Sequence, residues 1–287
     1  MTETNRTPVQ GHPDSREGLA QGAETVSKPP IPVALSTSCL FPLGVPETFS
    51  TAVDLGYDSV EVMITGSALS QEPYDLLALI QKYQIPISAI HAPTLLLTQQ
   101  VWGRAWNKMQ MAAKVTKAVG ADVIVAHPPF RWQRHYAKNF VDGVREISEL
   151  EGVKIAVENM YPWSVKGRAV EMYAPHWDPS RFDYDWMTWD FSHAAAAGDD
   201  SLEAVKRIGS RLGHVHLTDG SGDKVMDEHL IPGHGTQPVA ETLQYIAASD
   251  FSGVVCAEVS TSKAKGAVQR DEWLYETLQF ARTHLAR

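Results

Sequence analysis

At 287 residues and 44% hydrophobic content, the chain is long enough for one large domain and apolar enough for a real core, which excludes global disorder. A formal net charge of −9 disfavours a nucleic-acid partner, and Cys39 and Cys256 alone cannot build a disulfide framework. No apolar run reaches the roughly 18 residues that span a bilayer, and the first residues lack the apolar stretch of a secretory signal, so a cytoplasmic chain without a membrane partner is expected.

Residues 1–30 are polar and aperiodic and read as a disordered tail whose His12 is no ligand candidate. From residue 31 to 287 the chain alternates strand and helix signals. Strands are expected at 33–41, 59–64, 86–93, 122–129, 154–160, 186–193, 213–219 and 253–260. Helices are expected at 46–56, 74–84, 102–120, 136–151, 201–212, 238–248 and 271–286. Both cysteines fall in expected strands, as small buried apolar residues. A Trp-, Tyr- and Pro-rich insertion, 161–186, interrupts the rhythm after the fifth strand. The strands read as near-continuous apolar runs, the mark of a parallel sheet buried on both faces. Eight such βα units fit a single (β/α)8 TIM barrel, and no Gly-rich dinucleotide turn supports an open doubly wound sheet.

A barrel carries its active site at the C-terminal ends of its strands. Those ends hold Glu61, His91, His127, Glu158, then Asp190 and His193, then His216, and finally Glu258. The loop after His216 adds Asp227 and His229 in the spacing D-x-H, ahead of a Pro-Gly turn. Ionised carboxylates are too costly to bury together at one mouth without cations, so the pattern points to divalent metal. His214 points the same way as His216 but one layer deeper, and is expected to serve packing.

In these motifs the sequence resembles the xylose isomerase-like barrels, a superfamily that includes endonuclease IV and many sugar isomerases and epimerases. The motifs are IHAP, AHP, VENM, WDFSH, HLTD and DEHLIPGHG, and the resemblance spans roughly residues 33–285. In members like endonuclease IV, the matching positions ligate three zinc ions. Here they are His91, His127, Glu158, Asp190, His193, His216, Asp227, His229 and Glu258. In epimerase-like members one divalent ion is held by fewer residues, here Glu158, Asp190, His216 and Glu258. The resemblance therefore implies one to three ions of Zn, Mn or Co. It departs from the DNA-repair members at LTDGSG, at Asp227-Glu228-His229 and at ENMYPW, where those members carry Asn-Asp-Ser-Lys, Asp-Arg-His and ENTAG-like runs.

The expected function is a metal-dependent sugar or sugar-phosphate isomerase or epimerase working through an enediolate, with Glu158 and Glu258 as base and acid. The alternative is a zinc phosphodiesterase acting on abasic DNA or a small phosphodiester, and a non-catalytic sugar-sensing barrel is a third class. Substrate contacts are expected from Glu61, His193, Arg131, Lys166 and Trp163, with Trp177 and Trp186 joining Trp163 in an apolar lid. Arg134, Arg168, Lys263 and Lys265 are further loop cations that would suit a single phosphate or carboxylate. Metal identity and homo-oligomer formation stay open.

Overall fold

The computed structural model describes residues 1–2, 28–94, 98, 100–223 and 226–287. The tail read over 1–30, His12 included, lies outside the described residues except for 1–2 and 28–30. Of those, Lys28 is docked on the barrel: its Nζ donates to the carbonyl of Ser249 and to Asp250 at 2.8 Å each.

The elements in chain order are β1 (Val33–Ser36), α1 (Val45–Leu55), β2 (Ser59–Met63), α2 (Ala68–Gln71), α3 (Pro73–Tyr83), β3 (Ile87–His91), α4 (Ala105–Val119) and β4 (Val123–Ala126). There follow α5 (Arg134–Lys138), α6 (Phe140–Glu151), β5 (Lys154–Glu158), β6 (Trp163–Val165), β7 (Arg168–Val170), β8 (Trp186–Asp190), α7 (Phe191–Ala197) and α8 (Ser201–Ile208). The chain closes with β9 (Leu212–Leu217), α9 (Val239–Ala248), β10 (Val254–Ala257) and α10 (Ala267–His284). Strands β1-β10-β9-β8-β5-β4-β3-β2 form a closed barrel of parallel pairs, while β6 and β7 make a separate hairpin. No helix among the described residues is long and apolar enough to cross a membrane.

Side-chain alternation along a strand explains how one barrel buries both a greasy jacket and a polar mouth. Outward residues such as Ile90, Ile124, Val157, Val215 and Val255 pack under the helices in the main core. At the C-terminal ends of β3, β4, β5, β8, β9 and β10 the inward residue is a candidate ligand, whereas β1 and β2 end on Ser36 and Met63. Two residues earlier, the chain places a smaller or deeper inward residue: Ala89 below His91, Ala156 below Glu158, Thr188 below Asp190, His214 below His216 and Cys256 below Glu258.

Several boundaries differ from the sequence reading. The first strand ends at Ser36, whose hydroxyl accepts the Ser38 amide and starts a 3-10 turn, Thr37–Leu40, so Cys39 sits in that turn. The sixth expected strand stops at Asp190 because its side chain accepts the His193 amide and caps α7. His193 therefore rides on the first turn of a helix. The 161–186 insertion folds back through the β6–β7 hairpin, whose two-residue turn is Lys166 (φ 51) and Gly167 (φ 74). Such a turn needs positive φ at both positions, and it projects Lys166 into solvent.

Trp186 is not part of a lid. It opens β8 at the opposite end of the barrel and packs on Ala89, Val123, Val125 and Ala156, with the Lys154 ammonium 4.8 Å from its ring centroid. Small residues at those inward positions leave room for the indole, which plugs the floor. Trp186→Ala is expected to destabilise the fold by about 3 kcal/mol, the low end for Trp truncation because the ring is only partly buried. Urea unfolding should show that loss with no change in metal content.

Candidate metal centre

Among the described residues five ligand groups form, each with candidate ligand atoms within 4.8 Å of one another. Two gather around the deeper Glu61 (with His91, His216 and Glu258, and with His214 and Cys256), and three converge at the barrel mouth. The central group is Glu158, Asp190, His216 and Glu258, from the ends of β5, β8, β9 and β10. His216 Nδ1 lies 2.9 Å from Glu158 Oε1, 2.8 Å from Glu258 Oε2 and 3.8 Å from Asp190 Oδ2. The second group, His91, His127 and Glu158, shares the Glu158 carboxylate: His127 Nε2 is 2.8 Å and His91 Nε2 3.7 Å from Glu158 Oε2. The third is His193, Asp227 and His229, with the two Nε2 atoms 3.1 and 2.8 Å from Asp227 Oδ2.

Hydrogen bonds leave the right atoms free. Asp190 Oδ1 accepts from the His193 amide at 2.7 Å and from the Thr218 hydroxyl at 3.2 Å. Asn159 clamps the same strand end, accepting the Asp190 amide through Oδ1 and donating through Nδ2 to the Asp190 carbonyl. Asp190 Oδ2 is left buried without a hydrogen-bond partner, and Glu158 Oε2 meets only the ring nitrogens of His127 and His91, themselves candidate ligands. A buried carboxylate oxygen without a donor is rare, and Asp190 Oδ2 sits inside a ligand group. The side chains present therefore fit a divalent cation.

The third group is assembled from a loop. His193 and His229 point their Nδ1 atoms at the carbonyls of Asn159 and Glu258, 2.8 and 2.7 Å away, which commits both Nε2 atoms to the centre. His229 holds φ 46, a costly conformation for a non-glycine residue, so its surroundings must fix it. Ser192 does much of that: its hydroxyl donates to Asp227 Oδ1 at 2.6 Å and accepts the amides of Glu228 and His229. Asp219 holds the following turn by accepting the amides of Gly220, Gly233, Gly235 and Gln237. A Cβ at Gly235 would collide with the Asp219 carboxylate and the Gly220 carbonyl, which is why the G-x-G of PGHG needs its second glycine.

Electrostatics follow from this crowding. Burial alone would push His216 down, but Glu258, Glu158 and Glu61 together hold it well above the ordinary imidazole range. Burial likewise opposes protonation of His229, yet the Asp227 carboxylate beside it carries its pKa up to about 10. Burial would raise Glu158 and Glu258, and the neighbouring His216 overrides it, keeping both carboxylates ionised. Asp190 goes the other way, raised by burial.

The groups face a cavity of ≈ 440 Å³ lined by His91, His127, Glu158, His193, Asp227, His229 and Glu258 on one side. Its other walls are Met63, Phe130, Met160, Tyr161, Trp163 and Tyr173. Trp163 lines the cavity, and Trp177 packs behind it with Phe130, Met160 and Tyr173. Arg131 and Lys166 do not line the cavity, and they are exposed, as are Arg134, Arg168, Lys263 and Lys265. Among the described residues no Lys or Arg lines the cavity. Glu61 is fully buried and does not line the cavity: β2 runs on to Met63, which pairs in register with His91 and takes the rim position. His214 does more than pack, its Nε2 lying 2.9 Å from Glu61 Oε2. The sequence reading missed Ser192, Asn159 and the aromatic wall, of which only the Trp- and Tyr-rich insertion gave a signal.

Comparison with known proteins agrees with this architecture. A family model described as xylose isomerase-like TIM barrel matches residues 49–284. An uncharacterized protein of Mycobacterium leprae is 43% identical over 280 residues, covering 91% of this chain and 100% of that protein. The fructoselysine 3-epimerase of Escherichia coli O157:H7 is 23% identical over 248 residues, covering 76% of this chain and 86% of the epimerase. Among solved structures, the IolI protein with a bound zinc atom superposes with a TM-score of 0.64 at 17% identity, over 89% of this chain and 98% of that one.

Proposed function

The chain belongs to the xylose isomerase-like TIM barrel family, and on that premise we propose that it is a divalent-metal-dependent sugar isomerase or epimerase. The observation that carries the reading is that Asp190 Oδ2 is buried without a hydrogen-bond partner and Glu158 Oε2 meets only imidazole nitrogens of other candidate ligands, within groups that open on a cavity. Glu158, Asp190, His216 and Glu258 would hold the tightest ion, since they offer four ligands and three carboxylates. The two three-ligand groups would fill at higher metal concentration. Zn, Mn and Co all suit this mixture of imidazole and carboxylate.

A bound ion supplies Lewis-acid stabilisation of the charge that develops on substrate oxygens when a carbon-bound proton leaves. The protein's own residues do the rest. Glu158 and Glu258 come from strands separated by β8 and β9, so they can address opposite faces of a substrate. One carboxylate, ionised, takes the proton from the carbon beside the carbonyl, and the other, which must hold a proton in the substrate complex, returns it and is left ionised. Return at the same carbon inverts it, and return at the neighbouring carbon moves the carbonyl. Phe130, Tyr161, Trp163 and Tyr173 present apolar faces to the C–H side of a sugar and keep water from the carbanionic species. With the loop cations outside the cavity, we read the substrate as an unphosphorylated sugar.

The test is solvent exchange. Metal-loaded protein incubated with ketoses and inososes in D2O should incorporate deuterium beside the carbonyl, visible by NMR. A second reading, a zinc phosphodiesterase, has one specific observation in its favour: Glu158 offers one oxygen to the central group and the other to the His91–His127 group. Hydrolysis of bis(p-nitrophenyl) phosphate, with no deuterium incorporation from any sugar, would overturn the isomerase reading and support this one. In either chemistry Ser192→Ala should weaken ion binding at His193, Asp227 and His229 by about 10-fold, as loss of an outer hydrogen bond to a ligand does. A cobalt titration should show the central group unchanged.

A further inference from the structure

Glu61, like Asp190, is fully buried and does not line the cavity, and it lies where two of the ligand histidines turn their backs. Its Oε2 is 3.3 Å from His216 Nε2 and 2.9 Å from His214 Nε2. Its Oε1 accepts the Ser36 hydroxyl at 3.1 Å and lies 3.7 Å from His91 Nδ1. His91 Nδ1 is buried without a hydrogen-bond partner, and the next acidic oxygen, Glu258 Oε1, is 4.0 Å away. When His216 Nδ1 and His91 Nε2 face a cation, each ring carries its proton on the far nitrogen. Both far nitrogens point at this carboxylate.

We infer that Glu61 is a positioning residue shared by two metal centres: one buried carboxylate fixes the tautomer and ring orientation of His216 in the central group and of His91 in the neighbouring group. His214 and the register partner Ser36 hold the carboxylate in place. The third group needs no such residue, because backbone carbonyls orient both of its histidines. A carboxylate behind a ligating imidazole also raises the basicity of the ligand, and its loss lowers metal affinity by about 10–100-fold. The inference rests on the metal-dependent reading of the site.

Glu61→Gln keeps the side chain's size but leaves one carbonyl oxygen, which cannot accept from both His216 and His91, and adds an amide N–H that opposes one of them. Cobalt(II) titration of metal-free protein, followed by visible absorption and by chelator competition, reads the effect without any substrate. A His229→Asn variant assigns the contribution of the third group. Glu61→Gln should lower affinity about 10–100-fold at the central and His91 groups and leave the third group unchanged. Ser36→Ala, a lighter change, should shift the same two groups in the same direction by a smaller factor, and thermal unfolding of the metal-free variants checks that both fold. Wild-type affinity in Glu61→Gln, or equal loss at all three groups, would overturn the inference. A wild-type protein that binds no cobalt would instead sink the metal reading itself.

Discussion

Glu158→Gln and Glu258→Gln should each lower turnover by about 10³-fold or more while leaving the barrel folded, and the double variant should be no worse than the weaker single one. Each residue is asked to do two things, hold the ion and move a proton, and each does so from a strand end whose backbone is fixed by the parallel ladder. Gln preserves shape and removes the charge, so neither a base nor a strong ligand remains. Packing loss should be small, because the side chains meet imidazoles and a cavity instead of the apolar jacket. The double variant matters because residues acting as one unit fail together. Turnover in either single variant near the wild-type rate would remove that residue from the proton-transfer step, and a large drop in thermal stability would leave the loss of rate explained by unfolding.

Removing the metal should have the next largest effect: activity abolished by chelation, restored by Zn, Mn or Co, and a lowered melting temperature in between. An ion present at about 1,000 times its Kd stabilises the folded state by about 4 kcal/mol, or roughly 10 °C in Tm for a chain of this size. The metal-free form should also be pH-sensitive in a defined sense. His229 rises from 6.5 to about 10 on folding because Asp227 outweighs burial. A raised histidine contributes stability that is fully present below its unfolded pKa and is lost as pH rises through the folded one. His216 and His193 are raised as well, so they add in the same direction. Melting temperature of the metal-free protein should therefore fall between about pH 6.5 and 10, while the loaded protein stays level because cations replace the protons. A flat profile in the metal-free form would contradict this coupling.

The barrel was legible because its signal is repeated: strand after strand shows the apolar run, and most carry near their C-terminal end a polar residue that a packed interior would reject. The nine ligand candidates stood out for the same reason, and the structure gathers their side chains at one mouth. What failed was depth. Glu61 was placed with the substrate because its strand end was taken at the acid, whereas β2 continues to Met63 and puts Glu61 level with Ala89. A register between strands is a tertiary fact, and a one-step error moves a side chain by a whole layer. Loop charges failed differently. Lys166 and Arg131 are basic residues near the right strands, but a hairpin turn and an exposed bend carry them outward, and turn geometry decides that more than composition does. Trp186 was grouped with the lid by its neighbourhood in sequence, yet it is the first residue of a strand, so it lies at the floor. Ser192 was illegible for a simpler reason: a lone serine on a helix's first turn carries no sign that two loop amides and a carboxylate will meet it.

Metal content of protein purified without chelator, measured by elemental analysis on the wild type and on Glu158→Gln, bears most directly on the site. At least one equivalent of Zn, Mn or Co per chain is expected in the wild type, with most of it lost in a folded Glu158→Gln. A wild-type chain that carries no transition metal, and takes up none when Zn, Mn or Co is added, would contradict the assignment of these carboxylates and imidazoles as a metal centre.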